Sequence, residues 1–301
     1  MRDFKRSKRW LEILAFIPVC VCILLLFSYC FDPVRTDHAE RVNERDIYVV
    51  SALTQDPDSI DVAVLGDSEA LVLLWPKQLW EDANISSYII GQSGQSVSES
   101  YYVLNAFFER QSPKVVFFEA DTLVDDSNER REQIEQFNSA AYHFFPIFRH
   151  HNEWKEMTGI KEASPIEHDR GFGERKKIKP YEGGEYMHET DKREKILFSS
   201  KRYFRKIVKL CRQKGTELVI VSAPAPLHFN YEKHKALSDL AAENGLTYID
   251  FNLMNEEIGI DWETDMLDGG DHVNLTGTSK ITSYLIQYLR ENQFKTDSAG
   301  Q

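Results

Sequence analysis

The chain has 301 residues, 42% of them hydrophobic and 28% charged, with a net charge of −12. That suits one sizeable globular domain with an ample core and a short appendage. The acidic excess argues against nucleic acid or anionic lipid head groups as partners.

Arg2, Lys5, Arg6, Lys8 and Arg9 precede a stretch over residues 10–31 broken only by Glu12, Pro18 and small polar side chains. Residues 13–31 carry no charge, a length close to the ~20 residues needed to cross ~30 Å of hydrocarbon. The basic flank predicts one transmembrane anchor, with the N-terminus in the cytoplasm of a bacterial cell and everything after Asp32 exported. A cleaved signal peptide also pairs a basic start with an apolar core, but that core is usually about 7–15 residues, and no small-x-small site follows here. Tyr29 before Cys30 speaks against lipoprotein cleavage. Cys20, Cys22 and Cys30 lie in this segment, which leaves only Cys211 beyond it and no internal disulfide in the exported part.

Residues 32–60 are polar and read as a stalk with an edge element. From about Asp61, short apolar runs alternate with amphipathic stretches: strands are expected at 62–65, 87–90, 115–118, 218–221 and 246–249. They lack clean polar alternation, as strands buried on both faces do. Helices are expected at 98–109, 191–214 and 231–244, the last ending at Gly245, with a final helix at 279–292. The alternation predicts an α/β domain over 61–294, a doubly wound, mostly parallel five-stranded sheet, followed by a tail at 295–301. Ligands in that architecture gather at the carboxyl ends of the strands.

Residues 124–190 are too long for a simple crossover and read as an insertion or lid. They hold the acidic Asp125, Asp126 and Glu129, an aromatic run, His150-His151 and a basic cluster at 175–179. Phe144, Phe145 and Phe148 weigh as core rather than as a sugar platform, while Trp154 is evenly balanced. No i, i+4 histidine pair or carboxylate spacing supports zinc, and neither a metal nor a cofactor is expected.

Gly66-Asp67-Ser68 closes the first apolar run. A serine hydroxyl is a poor nucleophile until an imidazole takes its proton and a carboxylate fixes the imidazole's tautomer. A second buried run is followed by Gly91-Gln92-Ser93-Gly94, where an unhindered backbone N–H could meet an oxyanion. The third segment is Asp268-Gly269-Gly270-Asp271-His272. Ser68 and His272 stand 204 residues apart, so only a fold can unite them. Against this, Ser68 could simply cap a helix, Asp67 reads as a turn residue, and His228 as a loop residue.

These segments resemble the SGNH (GDSL-type) hydrolase superfamily, a flavodoxin-like α/β fold, over roughly residues 62–289. Its membrane-anchored branch, which works beside membrane-bound O-acyltransferases on cell-envelope polymers, looks most similar. Beyond the three segments above, Pro113 through Glu119, His151-Asn152-Glu153-Trp154-Lys155, Pro224-Ala225-Pro226, Glu232-Lys233-His234-Lys235, Tyr248 through Asn252 and Asp271 through Leu275 carry the likeness. The resemblance implies Ser68 as nucleophile, His272 as base, and the N–H groups of Ser68 and Gly94 as oxyanion donors. The orienting carboxylate normally stands three residues before the histidine, where this chain has Gly269. Asp268 is preferred, with Asp271 and Asp265 as alternatives. The superfamily's Gly-x-Asn-Asp block is also altered: Glu119-Ala120-Asp121-Thr122 has no asparagine donor. Two backbone donors then remain, or Thr122 helps. Losing one donor costs ~2.7–4 kcal/mol, so slow hydrolysis would suit a transferase.

The implied function is a membrane-tethered serine acyltransferase outside the cytoplasm. It would O-acetylate an envelope or exported polysaccharide through acyl-Ser68, with an O-acyltransferase and a glycan acceptor as partners. The alternatives are an esterase or deacetylase using water, and a non-catalytic adaptor.

Overall fold

The computed structural model describes residues 2–36, 42, 45–124, 128–151, 155, 160, 168–292 and 294, with side chains of the first helix from residue 14 onward. Trp154 and the tail at 295–301 lie outside the described residues.

Five strands form a parallel sheet in the order β2-β1-β3-β4-β5: β1 (Val62–Leu65), β2 (Ser87–Ile89), β3 (Val115–Glu119), β4 (Glu217–Ser222) and β5 (Thr247–Asp250). Every strand end lies within one residue of its sequence expectation. Along the strands, successive side chains face opposite sides. Ala63, Leu65, Val116, Phe118, Leu218 and Ile220 enter one core, and Val62, Val64, Val115, Phe117, Val219 and Val221 the other. Both faces are covered, which is why the runs read as continuously apolar.

On the first face lie α6 (Val97–Phe107), α9 (Phe198–Lys214) and α10 (Tyr231–Asn244). The second face is covered by α4 (Ala70–Leu73), α5 (Pro76–Ala83) and α12 (Leu275–Glu291). Phe107, Phe204, Leu79 and Leu285 are fully buried there, each contributing roughly 1.5–3 kcal/mol of hydrophobic stabilisation. This strand order reverses direction between β1 and β3, so the loops leaving those strands splay apart and open a crevice.

Three segments differ from expectation. The helix predicted over 191–214 begins only at Phe198, because Glu129 takes the Phe198 N–H at 2.8 Å and the Ser199 hydroxyl at 2.7 Å. Its cap comes from α7 (Glu129–Phe144), far away in sequence. The last helix starts at Leu275 rather than 279, since Asn274 Oδ1 accepts from the N–H groups of Thr276 and Gly277. Segment 32–60, expected as stalk and edge element, instead holds α2 (Pro33–Thr36) and α3 (Ile47–Leu53). Ile47, Val49, Val50 and Ala52 are buried, so α3 is docked on the domain.

Before these comes α1 (Arg2–Cys30), a single helix. Leu14, Phe16, Ile17, Val19, Ile23, Leu25, Leu26 and Phe27 on it are exposed. Among the described residues no helix is long and apolar enough to cross a membrane.

The insertion contributes α7 and α8 (Ile147–His150). Phe144 and Phe148 are exposed rather than core. Among the described residues, α7 packs on α6 and α9 and buries only Glu132 and Ser139. The chain then runs along the free edge of β2, where Arg170 O accepts the Ile89 N–H at 3.0 Å. It continues beside the loop carrying His272: Lys179 N–H donates to Met266 O at 3.0 Å, and Tyr181 N–H to Trp262 O at 2.9 Å.

Candidate active site

The crevice is built by close backbone approach. A Cβ on Gly66 would lie 2.8 Å from the Cβ of Glu119, and one on Gly91 would lie 2.9 Å from Gly66 O. The loops after β1, β2 and β3 converge only because these two positions lack side chains. Ser68 follows Gly66 half-buried, and its Oγ donates to Glu69 Oε2 at 3.0 Å.

His272 arrives on the loop ahead of α12. Gly269 and Gly270, with φ of +93° and +119°, fold that loop back so that Asp268 meets the imidazole it precedes. Asp268 Oδ2 lies 2.7 Å from His272 Nδ1, while its Oδ1 accepts the N–H groups of His272 at 2.8 Å and Asp271 at 3.2 Å. Burial would raise the Asp268 pKa, but the bonds from the His272 backbone and ring hold it below the usual value. An Nδ1–H donated to Asp268 leaves Nε2 as the basic nitrogen. That atom is buried, has no hydrogen-bond partner among the described residues, and lies 3.7 Å from Glu69 Oε1. Ser68 and His272 therefore converge on the two oxygens of one carboxylate.

The other carboxylates fall into place around this pair. Asp271 Oδ2 lies 3.4 Å from His272 Nδ1, and its Oδ1 lies 3.1 Å from His228 Nε2, so His228 stands at the rim of the site. Burial pushes the Asp271 carboxyl upward. Asp265 is buried against Lys280 at 2.6 Å and does not meet the imidazole. Asp67 accepts the Glu69 N–H at 3.4 Å, in keeping with a turn residue. One oxygen each of Asp67, Glu69 and Glu119 lies within 4.8 Å of the others. Burial, reinforced by the charge of Glu69, drives the Asp67 and Glu119 carboxyls well above their usual range. One ligand atom each of Glu69, Asp271 and His272 also lies within 4.8 Å of the others, so this trio could hold a cation.

For an oxyanion, the available donors are backbone groups. Among the described residues neither the Ser68 N–H nor the Gly94 N–H meets an acceptor. Gly94, Asp67 and Thr122 line one small cleft. Thr122, a candidate third donor, gives its proton to Gln95 O at 3.0 Å and so braces the Gly94 turn instead. A second Asp–His pair supports the loop opposite. Asp250 Oδ2 holds His234 Nδ1 at 2.7 Å, and Asp250 Oδ1 holds Asn252, which accepts the Ala225 N–H at 3.0 Å. Two residues on, Leu227 N–H donates to Gly270 O at 3.0 Å.

Sequence reasoning named Ser68, His272, Asp268 and Gly94 but missed Glu69. Its only signal was adjacency to the serine, since a carboxylate there has no assigned part in a serine–histidine pair.

Neither a family model nor a curated protein sequence matches the chain. Some solved structures resemble it. A Bacteroides fragilis protein described as an acylhydrolase is 11% identical, with a TM-score of 0.42, covering 82% of this chain and 96% of that one. One from Streptococcus pneumonia described as a platelet activating factor is 11% identical, with a TM-score of 0.46, covering 91% and 99%. A Parabacteroides merdae protein described as a GDSL-like lipase is 12% identical, with a TM-score of 0.39, covering 80% and 99%. Likeness this distant says nothing about activity.

Proposed function

We propose that the chain is a serine acyl-transfer enzyme, tethered by α1 on the outer side of a membrane, that acetylates a glycan hydroxyl through acyl-Ser68. One observation carries the chemistry: His272 is clamped by Asp268 through Nδ1, while its Nε2, without a hydrogen bond among the described residues, faces the Glu69 carboxylate that also accepts from the Ser68 hydroxyl. Catalytic hydrogen bonds are often loose before substrate binds. A turn of the Ser68 hydroxyl from Glu69 toward Nε2 completes the pair.

In the first half-reaction His272 Nε2 takes the hydroxyl proton as Oγ attacks the acyl carbonyl. The N–H groups of Ser68 and Gly94 receive the oxyanion, and His272 returns the proton to the departing oxygen. In the second, His272 deprotonates the acceptor hydroxyl as it attacks the ester, then returns that proton to the departing Ser68 oxygen. With two donors rather than three, the acyl-enzyme is attacked slowly by water, which favours a well-placed sugar. The exposed apolar side chains of α1 support the tether. A multispanning O-acyltransferase as acyl donor follows from the resemblance.

The test uses the full chain in detergent. A fluorophosphonate should label Ser68 and leave Ser68→Ala unlabelled. An activated acetyl ester with candidate glycans should then put acetyl on sugar, by mass spectrometry. Acetate alone would make the enzyme a hydrolase. An unlabelled wild-type serine would leave only the adaptor.

A further inference from the structure

The Gly94 turn is held from behind by a residue that belongs to neither β2 nor α6. Arg45 lies just ahead of α3, in the stretch that joins the N-terminal helices to the sheet. Its Nε donates to Ser93 O at 3.1 Å, and its Nη2 lies 3.4 Å from Gly94 O. The same guanidinium forks onto Glu99, with Nη1 to Oε1 at 3.0 Å and Nη2 to Oε2 at 2.6 Å. Glu99 sits in the first turn of α6, mostly buried. It also receives Gln92 Nε2 at 2.9 Å and Arg149 Nη1 at 2.7 Å, and Arg149 in turn bonds Asp46. A planar fork with five donors can serve two carbonyls and a carboxylate at once; an ammonium cannot.

Peptide geometry turns this clamp into an aim. No peptide bond here is cis, and in a planar trans peptide the C=O and N–H point in opposite directions. With Ser93 C=O drawn onto Arg45, the Gly94 N–H is turned away from it. That N–H meets no acceptor among the described residues, and Gly94 lines a cleft with Asp67 on the serine loop.

We propose that Arg45 is the positioning residue of the oxyanion turn, so that activity depends on the segment leading from α1 staying docked against it. This rests on the serine chemistry proposed above and adds to it a link between the tether and the turnover rate. Anything that pulls residues 45–53 off the domain frees the Ser93–Gly94 peptide to rotate. The Gly94 donor is then lost from the transition state, with the substrate pocket unaltered.

The experiment compares full-length wild type, Arg45→Ala and Arg45→Lys. It measures the rate of Ser68 labelling by a fluorophosphonate, and kcat and KM for an activated acetyl ester, with thermal melting as a folding control. Removing an oxyanion donor outright costs about 10²–10³ in kcat; a misaimed one should cost about tenfold to a hundredfold. Arg45→Ala should slow labelling and kcat to that extent with KM unchanged, and added methylguanidinium should restore part of both. Labelling of Arg45→Ala at the wild-type rate, or a loss that lies in KM or resists methylguanidinium, would overturn the proposal. If Arg45→Ala does not fold, Arg45→Lys decides: slowed labelling supports it and wild-type labelling rejects it. Failure of wild type itself to label would instead sink the serine chemistry, before any variant is made.

Discussion

Glu69 is the side chain whose role is least obvious from its type. It accepts from Ser68 and faces His272 Nε2 at 3.7 Å, so under the proposed chemistry it would stand against the imidazolium formed as the serine gives up its proton. That attraction would arise mainly in the transition state and lower the barrier. Glu69→Gln should lower kcat/KM about tenfold, ~1.4 kcal/mol, in the acetyl-ester assay; unchanged or faster turnover would show that Glu69 only screens the hydroxyl. Behind it, Glu119 is buried and its carboxyl is pushed well above the ordinary 4.5, first by burial and then by Glu69. A carboxyl raised in the folded state stabilises the fold below its unfolded value, and that contribution fades as pH climbs toward the folded one. Glu119→Gln is neutral at every pH and lacks this loss. The urea midpoint of the variant, relative to wild type, should therefore rise from pH 4 to pH 8. A constant difference would mean that Glu119 carries no proton in the fold.

At the scale of elements, α12 is what holds the His272 loop to the sheet. Asn274 is buried and does three things: Oδ1 caps the N–H groups of Thr276 and Gly277, and Nδ2 donates to Thr264 O at 2.7 Å. Asn274→Ala should cost about 0.5–2 kcal/mol for the cap alone, read as a drop in Tm of ~2–4 °C per kcal/mol. Asn274→Asp keeps the acceptor and should recover part of that loss. Equal melting of all three would show that the cap is dispensable. The two helix starts that differed from expectation show where local pattern stops being informative. The final helix starts one turn before the expected 279, where Asn274 caps it and Thr278 is buried. The start at Phe198 had no local cap at all, because its acceptor, Glu129, comes from another helix.

For the whole molecule, the division of labour runs from an apolar helix to a crevice. The exposed side chains of α1 form a surface that water solvates poorly and lipid solvates well. The full chain should sediment with liposomes at high salt, whereas Leu25→Arg with Leu26→Arg should shift it toward the soluble fraction, since each central arginine costs ~2.5–3.5 kcal/mol of insertion. Sedimentation of the double variant unchanged would point to attachment by other means. The buried side chains of α3 tie residues 47–53 to the domain.

The five strands, their burial on both faces and the serine at the end of the first were legible in the sequence, because they rest on short continuous apolar runs and on glycines at fixed offsets. Ser68, His272 and Gly94 could be singled out by residue type and setting. Which acid serves His272 could not: Asp265, Asp268 and Asp271 are alike in one dimension, and only the Gly269-Gly270 reversal puts Asp268 at 2.7 Å. Glu69, Arg45 and the exposure of Phe144 were equally hidden. Each depends on what lies across space from it, and contacts between distant segments leave no trace in local periodicity.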